Sequence, residues 1–281
     1  MTSDWRLETK PLCDVRRLSF NQATAERASL REVVESCARY GVASVGLWRH
    51  KVKEAGVDVA ARLVRDAGIT VSSLCRGGMF PAPTESERTE RIEDNKRAID
   101  EAAAVGAKVL VLVCGAAPDR DIAGARAMVR DGIAAIEQHA AERGVKLGIE
   151  PLHPAFAAER SCITTLREAR LLAERFDAAT VGVVVDTYHV WWDPDRTDEI
   201  AWLGERIVGY HVNDWLVPSR DVLMGRGMMG DGVIDLREMR GEVERAGYSG
   251  PIEVEIFNEG IWAMPLDELM PLTKERFIAC V

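Results

Sequence analysis

From Val15 onward the chain alternates short apolar runs with longer amphipathic, charged segments, and the alternation repeats eight times. This is the pattern of repeated strand and helix units. The apolar runs predict strands over 17–20, 44–48, 70–75, 108–114, 146–150, 181–186, 207–212 and 252–257. The run VGVVVD at 181–186 has no polar face, which is how a strand covered on both sides of a parallel sheet reads. Helices are predicted over 25–40, 58–67, 84–105, 121–143, 164–176, 198–205, 235–246 and 266–278. In the first of these, Leu30, Val33, Val34 and Cys37 share one helical face. Gly41, Gly68, Gly106, Gly144 and Gly247 each stand between a helix and the next strand, where a left-handed residue closes a helix. Eight units in about 250 residues predict an α/β fold of the (β/α)8 barrel type, one domain over 1–281. A doubly wound open sheet is the runner-up, and the first strand-helix junction lacks the GxGxxG that would favour it.

A chain of 281 residues, 47% hydrophobic, can bury one large core, so composition agrees with a single barrel. The net charge of -9 argues against a general nucleic-acid binder, since such affinity rests on Lys and Arg neutralising phosphates. Six cysteines stand singly with no CxxC pair, and read as reduced, packed thiols. The N-terminal stretch MTSDWRLETKPLCDVRRLSF has no apolar leader core, and no run of about 18 uncharged apolar residues is present to span a bilayer. A cytoplasmic protein without membrane or nucleic-acid partners is the expectation, with homo-oligomeric or hetero-oligomeric association left open.

The chemistry gathers at the strand ends. Glu150, Asp186, His211 and Glu255 lie at or near the carboxyl ends of strands five to eight, where a barrel of this kind displays its active site. Carboxylates with one imidazole in an open mouth suit a divalent ion, Mn2+ first, with Mg2+ or Co2+ as alternatives. Zinc is less favoured without cysteine. Glu253 competes with Glu255 because residues two apart on a strand face the same way. Glu255 is nearer the carboxyl end and is the expected ligand. His153 and His189 follow two of these residues by three positions and are expected to reach the pocket, as are Trp48 and His50 after the second strand. Trp191 and Trp192 stand beside the sixth strand end as packing or as pocket wall. The long stretch 215–232 reads as an active-site loop, with Arg226 between Gly225 and Gly227 able to reach an oxygen-rich ligand. Arg76, followed by Gly77 and Gly78, invites the same reading. No phosphate loop, nicotinamide motif or flavin motif is present.

With these residues assembled, the chain resembles the xylose isomerase-like TIM-barrel superfamily, in particular its sugar isomerase and epimerase branch typified by ketose 3-epimerases. The pieces that carry the resemblance are GIEPLH around Glu150, VDTYH around Asp186 and His189, GYHVND around His211, GRG and GDGVID in the seventh loop, and YSGPIEVEIF around Glu255. The resemblance implies that Glu150, Asp186, His211 and Glu255 hold the metal while His189 and Arg226 touch substrate oxygens. It further implies a keto-sugar or related hydroxy-ketone substrate, with Glu150 and Glu255 as the catalytic pair that moves a proton beside the carbonyl. Ketose epimerases often carry another glutamate six positions after the first, and here that position is Phe156. The same residues fit a lyase or dehydratase, including C-glycoside deglycosidases and inosose-type dehydratases, and a non-catalytic sugar-binding subunit is the reading from another class. An apurinic-site endonuclease would need more histidines and a basic groove.

Overall fold

The computed structural model describes residues 9–281. Residues 1–8, the first part of the N-terminal stretch, lie outside the described residues. Eight parallel strands close into a barrel: β1 (Leu18–Asn21), β2 (Ser44–Trp48), β3 (Thr70–Gly78), β4 (Val109–Val113), β5 (Lys146–Glu150), β6 (Val181–Asp186), β7 (Ile207–Val212) and β8 (Ile252–Val254). Each pairs with its neighbour in sequence, and β1 closes the ring on β8 with Ser19 opposite Glu253. The barrel therefore has no free edge.

Two apolar layers hold it. In β4, Val109 and Val111 point inward to pack with Cys75 and Val184, while Leu110 and Leu112 point outward into the large core under the helices. Period-two alternation, invisible in a run that is apolar throughout, thus fills both sides. Gly41, Gly68, Gly106, Gly144 and Gly247 all have positive φ, between 66° and 104°, as the helix stops require. The first long helix starts at Leu30 rather than at 25, because Ser29 and Glu32 form a capping box there and Gln22–Ala25 is a separate 3-10 turn.

Local differences from the sequence reading cluster at the barrel mouth. β3 continues to Gly78 through a register shift between Cys75 and Gly77, where Arg76 is the extra residue. A helix, Arg49–Ala55, starts directly at the end of β2. A single helical turn, Thr187–Val190, follows β6, its first turn capped by the Asp186 carboxylate accepting from the Tyr188 amide. The eighth strand ends at Val254, although the Glu255 amide still donates to the Val212 carbonyl at 3.2 Å.

Candidate metal centre and active site

The last residues of β5 and β6 are Glu150 and Asp186; His211 is next to last in β7, and Glu255 follows β8 directly. All four are buried, and one ligand atom from each lies within 4.8 Å of the others. Glu150 Oε1 and His211 Nδ1 approach to 3.2 Å, off the line a hydrogen bond needs, and both remain without a hydrogen-bond partner. Two buried polar atoms without hydrogen-bond partners that face one point fit the ligation of a cation. Among the described residues the one guanidinium at this point is Arg226, whose Nη1 donates to Asp186 Oδ2 at 2.9 Å and to Glu255 Oε2 at 3.1 Å. Three carboxylates facing one guanidinium leave negative charge uncompensated, and the donor set of oxygens with one imidazole fits a divalent ion.

The same imbalance appears in the proton affinities. Burial would push His211 down, but the carboxylates of Glu253, Glu255 and Glu150 outweigh it and hold the imidazole up at about 10. Burial, reinforced by Glu150 and Asp186 against the pull of Arg226 and His211, raises Glu255 to about 8. Asp186 goes the other way: burial raises it, yet Arg226 and the two nearby histidines leave it below its ordinary value.

Glu253 sits one layer below this cluster and is not a member of it. In the β7–β8 ladder it stands opposite His211, whose Nε2 faces Glu253 Oε1 at 3.8 Å. The carboxylate accepts from Asn21 Nδ2 at 2.5 Å, from Ser72 Oγ at 2.6 Å and from Ser73 Oγ at 2.9 Å. Gly46 makes the room: a Cβ there would stand 2.0 Å from Glu253 Oε1. Asn21 is itself oriented, since its Oδ1 accepts from Trp48 Nε1 and from the Ala23 amide, which turns Nδ2 toward Glu253 and toward Glu255 Oε1 at 3.1 Å. His211 therefore presents Nδ1 to the cluster, with Nε2 turned to Glu253, the arrangement of a ligating histidine backed by a carboxylate.

His189 and Arg226 meet above the cluster. Burial lowers His189 to about 3, so the ring is neutral. Its Nδ1 accepts from the His153 amide at 3.1 Å. Arg226 Nη2 lies 3.1 Å from Nε2, so the imidazole and the guanidinium stand side by side above the cluster. The guanidinium is clamped between the rings of Tyr188 and Phe257, each centroid 4.8 Å from Cζ. Phe156 packs edge-on against His189 with centroids 5.7 Å apart.

The loop that delivers Arg226 is built by Asp214. Its carboxylate accepts from the amides of Trp215, Gly230, Gly232 and Ile234, and Asp214–Trp215 pairs antiparallel with Arg226–Gly227. Tyr188 Oη ties the loop down through the Val222 carbonyl at 2.7 Å.

The remaining sequence candidates are placed less centrally. Trp48 is half-buried, and through Asn21 it is one side chain removed from Glu255. His50 is exposed on the helix after β2 and pairs with Glu26 at 2.9 Å. The His153 ring packs against Trp192 and Trp215, so this residue reaches the site through its amide rather than its imidazole. Trp192 donates to the His189 carbonyl at 2.8 Å, and Trp191 packs beside Trp215. Sequence reasoning missed Asn21, Asp214 and Asn213, whose Nδ2 donates to Asp186 Oδ1 at 3.1 Å. The Asn213-Asp214 pair lay inside the GYHVND stretch, and the glycines at 230 and 232 were the signal that a carboxylate gathers amides there.

Comparison with known proteins agrees with this geometry. A crystallised protein of Sinorhizobium meliloti 1021 shares 47% identity over 95% of this chain and 98% of its own, with a TM-score of 0.93. The 3-dehydroshikimate dehydratase of Pseudomonas aeruginosa is 31% identical over 163 residues, which are 56% of this chain but 24% of that enzyme's length. The 3-dehydro-D-guloside 4-epimerase of Escherichia coli is 23% identical over 205 residues, 68% of this chain and 74% of the epimerase. The family profile described as Xylose isomerase-like TIM barrel matches residues 34–276, and the chain belongs to that family.

Proposed function

We propose that this protein is a divalent-metal-dependent isomerase or epimerase that removes a proton from the carbon beside the carbonyl of a keto-sugar or related hydroxy-ketone. The observation that carries the reading is the buried set Glu150, Asp186, His211 and Glu255, with Glu150 Oε1 and His211 Nδ1 unpartnered. These four would hold the ion, which when bound supplies Lewis-acid stabilisation of the negative charge that develops on the carbonyl oxygen. Mn2+ is the ion to try first. His189 and Arg226, side by side above the cluster, would contact a further substrate oxygen and so fix the orientation of the chain of carbons. Glu150 takes the proton, the electron pair moves into the new double bond of an enediolate, and Glu255 carries the proton that is returned. Return to the opposite face of the same carbon is epimerisation; return to the neighbouring carbon is isomerisation.

A second outcome shares the first half of this sequence. When a hydroxyl lies β to the carbanion, it leaves as water with a proton from Glu255, and the reaction is a dehydration. The match to a dehydratase favours this outcome, as does Phe156, which sets an apolar ring against His189 where ketose epimerases often carry a glutamate. The protein is read as cytoplasmic, acting on a small carbohydrate; among the described residues no helix is long and apolar enough to cross a membrane. The test is product analysis by NMR and mass spectrometry after incubating the Mn2+-loaded protein with ketoses, inososes and 3-keto-glycosides, beside Glu150→Gln. An epimer or isomer supports the first outcome and loss of water or an aglycone the second. No turnover of any member despite bound metal contradicts both and favours a binding subunit.

A further inference from the structure

Beside the metal cluster a cavity of about 620 Å3 opens between the ends of β2 and β3 and the helix Glu85–Val105. Trp48 and Cys75 form its wall toward the cluster, and Arg76 and Arg91 line it. Cys75 packs inside the barrel with Val111 and Val184, whereas a Cβ on Gly77 would point the other way, at Asn95, Leu110 and Leu112. Arg76 lies between these two at the register shift, so the regular alternation that would send it under the helices is interrupted and its side chain lines the mouth.

The charges lining this cavity do not cancel: Arg49, Arg76, Arg91 and Arg97 stand against two carboxylates, Asp94 and the exposed Glu90, which makes no ion pair among the described residues. Asp94 is engaged by Arg49 at 2.8 Å and by Arg97 at 3.2 Å, and Arg49 holds Glu101 as well. Arg91 donates to the Met79 carbonyl, a neutral partner. Among the described residues Arg76 makes no ion pair and no side-chain hydrogen bond, although it is half-buried. Across the mouth Arg160 lies 5.8 Å from the Phe156 ring and is likewise without a carboxylate. Burial and the positive charges of Arg76 and Arg226 push Arg160 below the usual arginine range. A half-buried guanidinium without a partner, facing an open volume next to a chelating site, is arranged to receive an anion.

We infer that this cavity seats an anionic group, carboxylate or phosphate, carried by the hydroxy-ketone substrate, with Arg76 as the residue that binds it and Arg91 adding positive charge. The inference rests on the reading of the metal cluster as the reaction centre, and it narrows the substrate from neutral sugars to sugar acids or sugar phosphates.

The experiment titrates the Mg2+-loaded protein calorimetrically with D-fructose, D-fructuronate and D-fructose 6-phosphate, which differ at one terminal carbon. One or both anions are expected to bind at least about tenfold more tightly than fructose, as a charged hydrogen bond gives. The larger of the two preferences identifies the group. Arg76→Gln is expected to abolish that preference while fructose affinity, metal affinity and the melting curve stay unchanged; Arg76→Lys keeps part of it. Equal affinity for all three compounds, no binding of either anion, or a preference intact in Arg76→Gln overturns the inference. The readout is binding, so it is independent of whether proton abstraction occurs.

Discussion

Replacing Glu253 by Gln perturbs the metal centre without touching a ligand. The carboxylate now accepts hydrogen bonds from Asn21, Ser72 and Ser73 and faces His211 Nε2 at 3.8 Å. An amide of the same shape removes the charge and turns one acceptor into a donor against neighbours that are already donors. Losing a carboxylate behind a ligating histidine costs about 10–100-fold in metal affinity, or about 1.4–2.7 kcal/mol. The mispaired buried amide costs about 1–3 kcal/mol of stability. With an unfolding entropy of about 2.1 cal/mol/K per residue over 281 residues, that lowers the melting temperature by about 2–5 °C. Calorimetric titration with Mn2+ at fixed pH and a thermal melt of the metal-free protein read the two effects separately. Metal affinity within twofold of the unaltered protein, in a variant that melts cooperatively, would refute the assignment of Glu253 as the residue that positions His211.

Metal affinity will depend on pH with a defined sign. Glu255 and His211 hold protons in the metal-free protein because their folded values are raised to about 8 and about 10, and an ion must displace both. Affinity therefore rises as pH rises toward 8, with about two protons released per ion near pH 7, measurable by calorimetry in buffers of different ionisation enthalpy; a flat profile from pH 6 to 8 contradicts it. Gly46→Ala would drive a Cβ to 2.0 Å from Glu253 Oε1, so overpacking of about 1–3 kcal/mol and weaker Mn2+ binding are expected together. A melt and metal titration like those of the unaltered protein would show that Glu253 can yield. Asp214→Ala frees the amides of Trp215, Gly230, Gly232 and Ile234, and limited proteolysis within 215–232 should quicken while metal affinity changes little. Unchanged cleavage would remove Asp214 as the organiser of this loop.

The parts of this molecule that the sequence made legible share one property: their signal is local. β6 reads as a buried strand because Val181, Val183, Val184 and Val185 leave no polar face, and Asp186 stands out at its end for the same reason. The glycine stops read correctly because a left-handed residue at a helix end is set by chemistry within one turn. What was not legible depends on partners far apart in the chain. Asn21 and Glu253 are 232 positions apart, and only barrel closure brings the amide to the carboxylate. The choice of Glu255 over Glu253 follows from its place nearer the strand end, but the role of Glu253 is not legible for this reason: both face inward, and Gly46, Ser72 and Ser73 surround the lower one only in the closed barrel. At His153 the ring packs on Trp192 and Trp215 while the backbone amide donates to His189, a division of labour that spacing along the chain does not show.

The central claim is that Glu150 removes a proton beside a carbonyl, and solvent exchange tests it most directly. The metal-loaded protein is incubated in D2O with the hydroxy-ketone of the panel that binds most tightly, and deuterium at the carbon beside the carbonyl is followed by NMR. The account predicts incorporation by the unaltered protein and its loss in Glu150→Gln under saturating metal. No incorporation by the unaltered protein, or incorporation at an equal rate in Glu150→Gln, would contradict it.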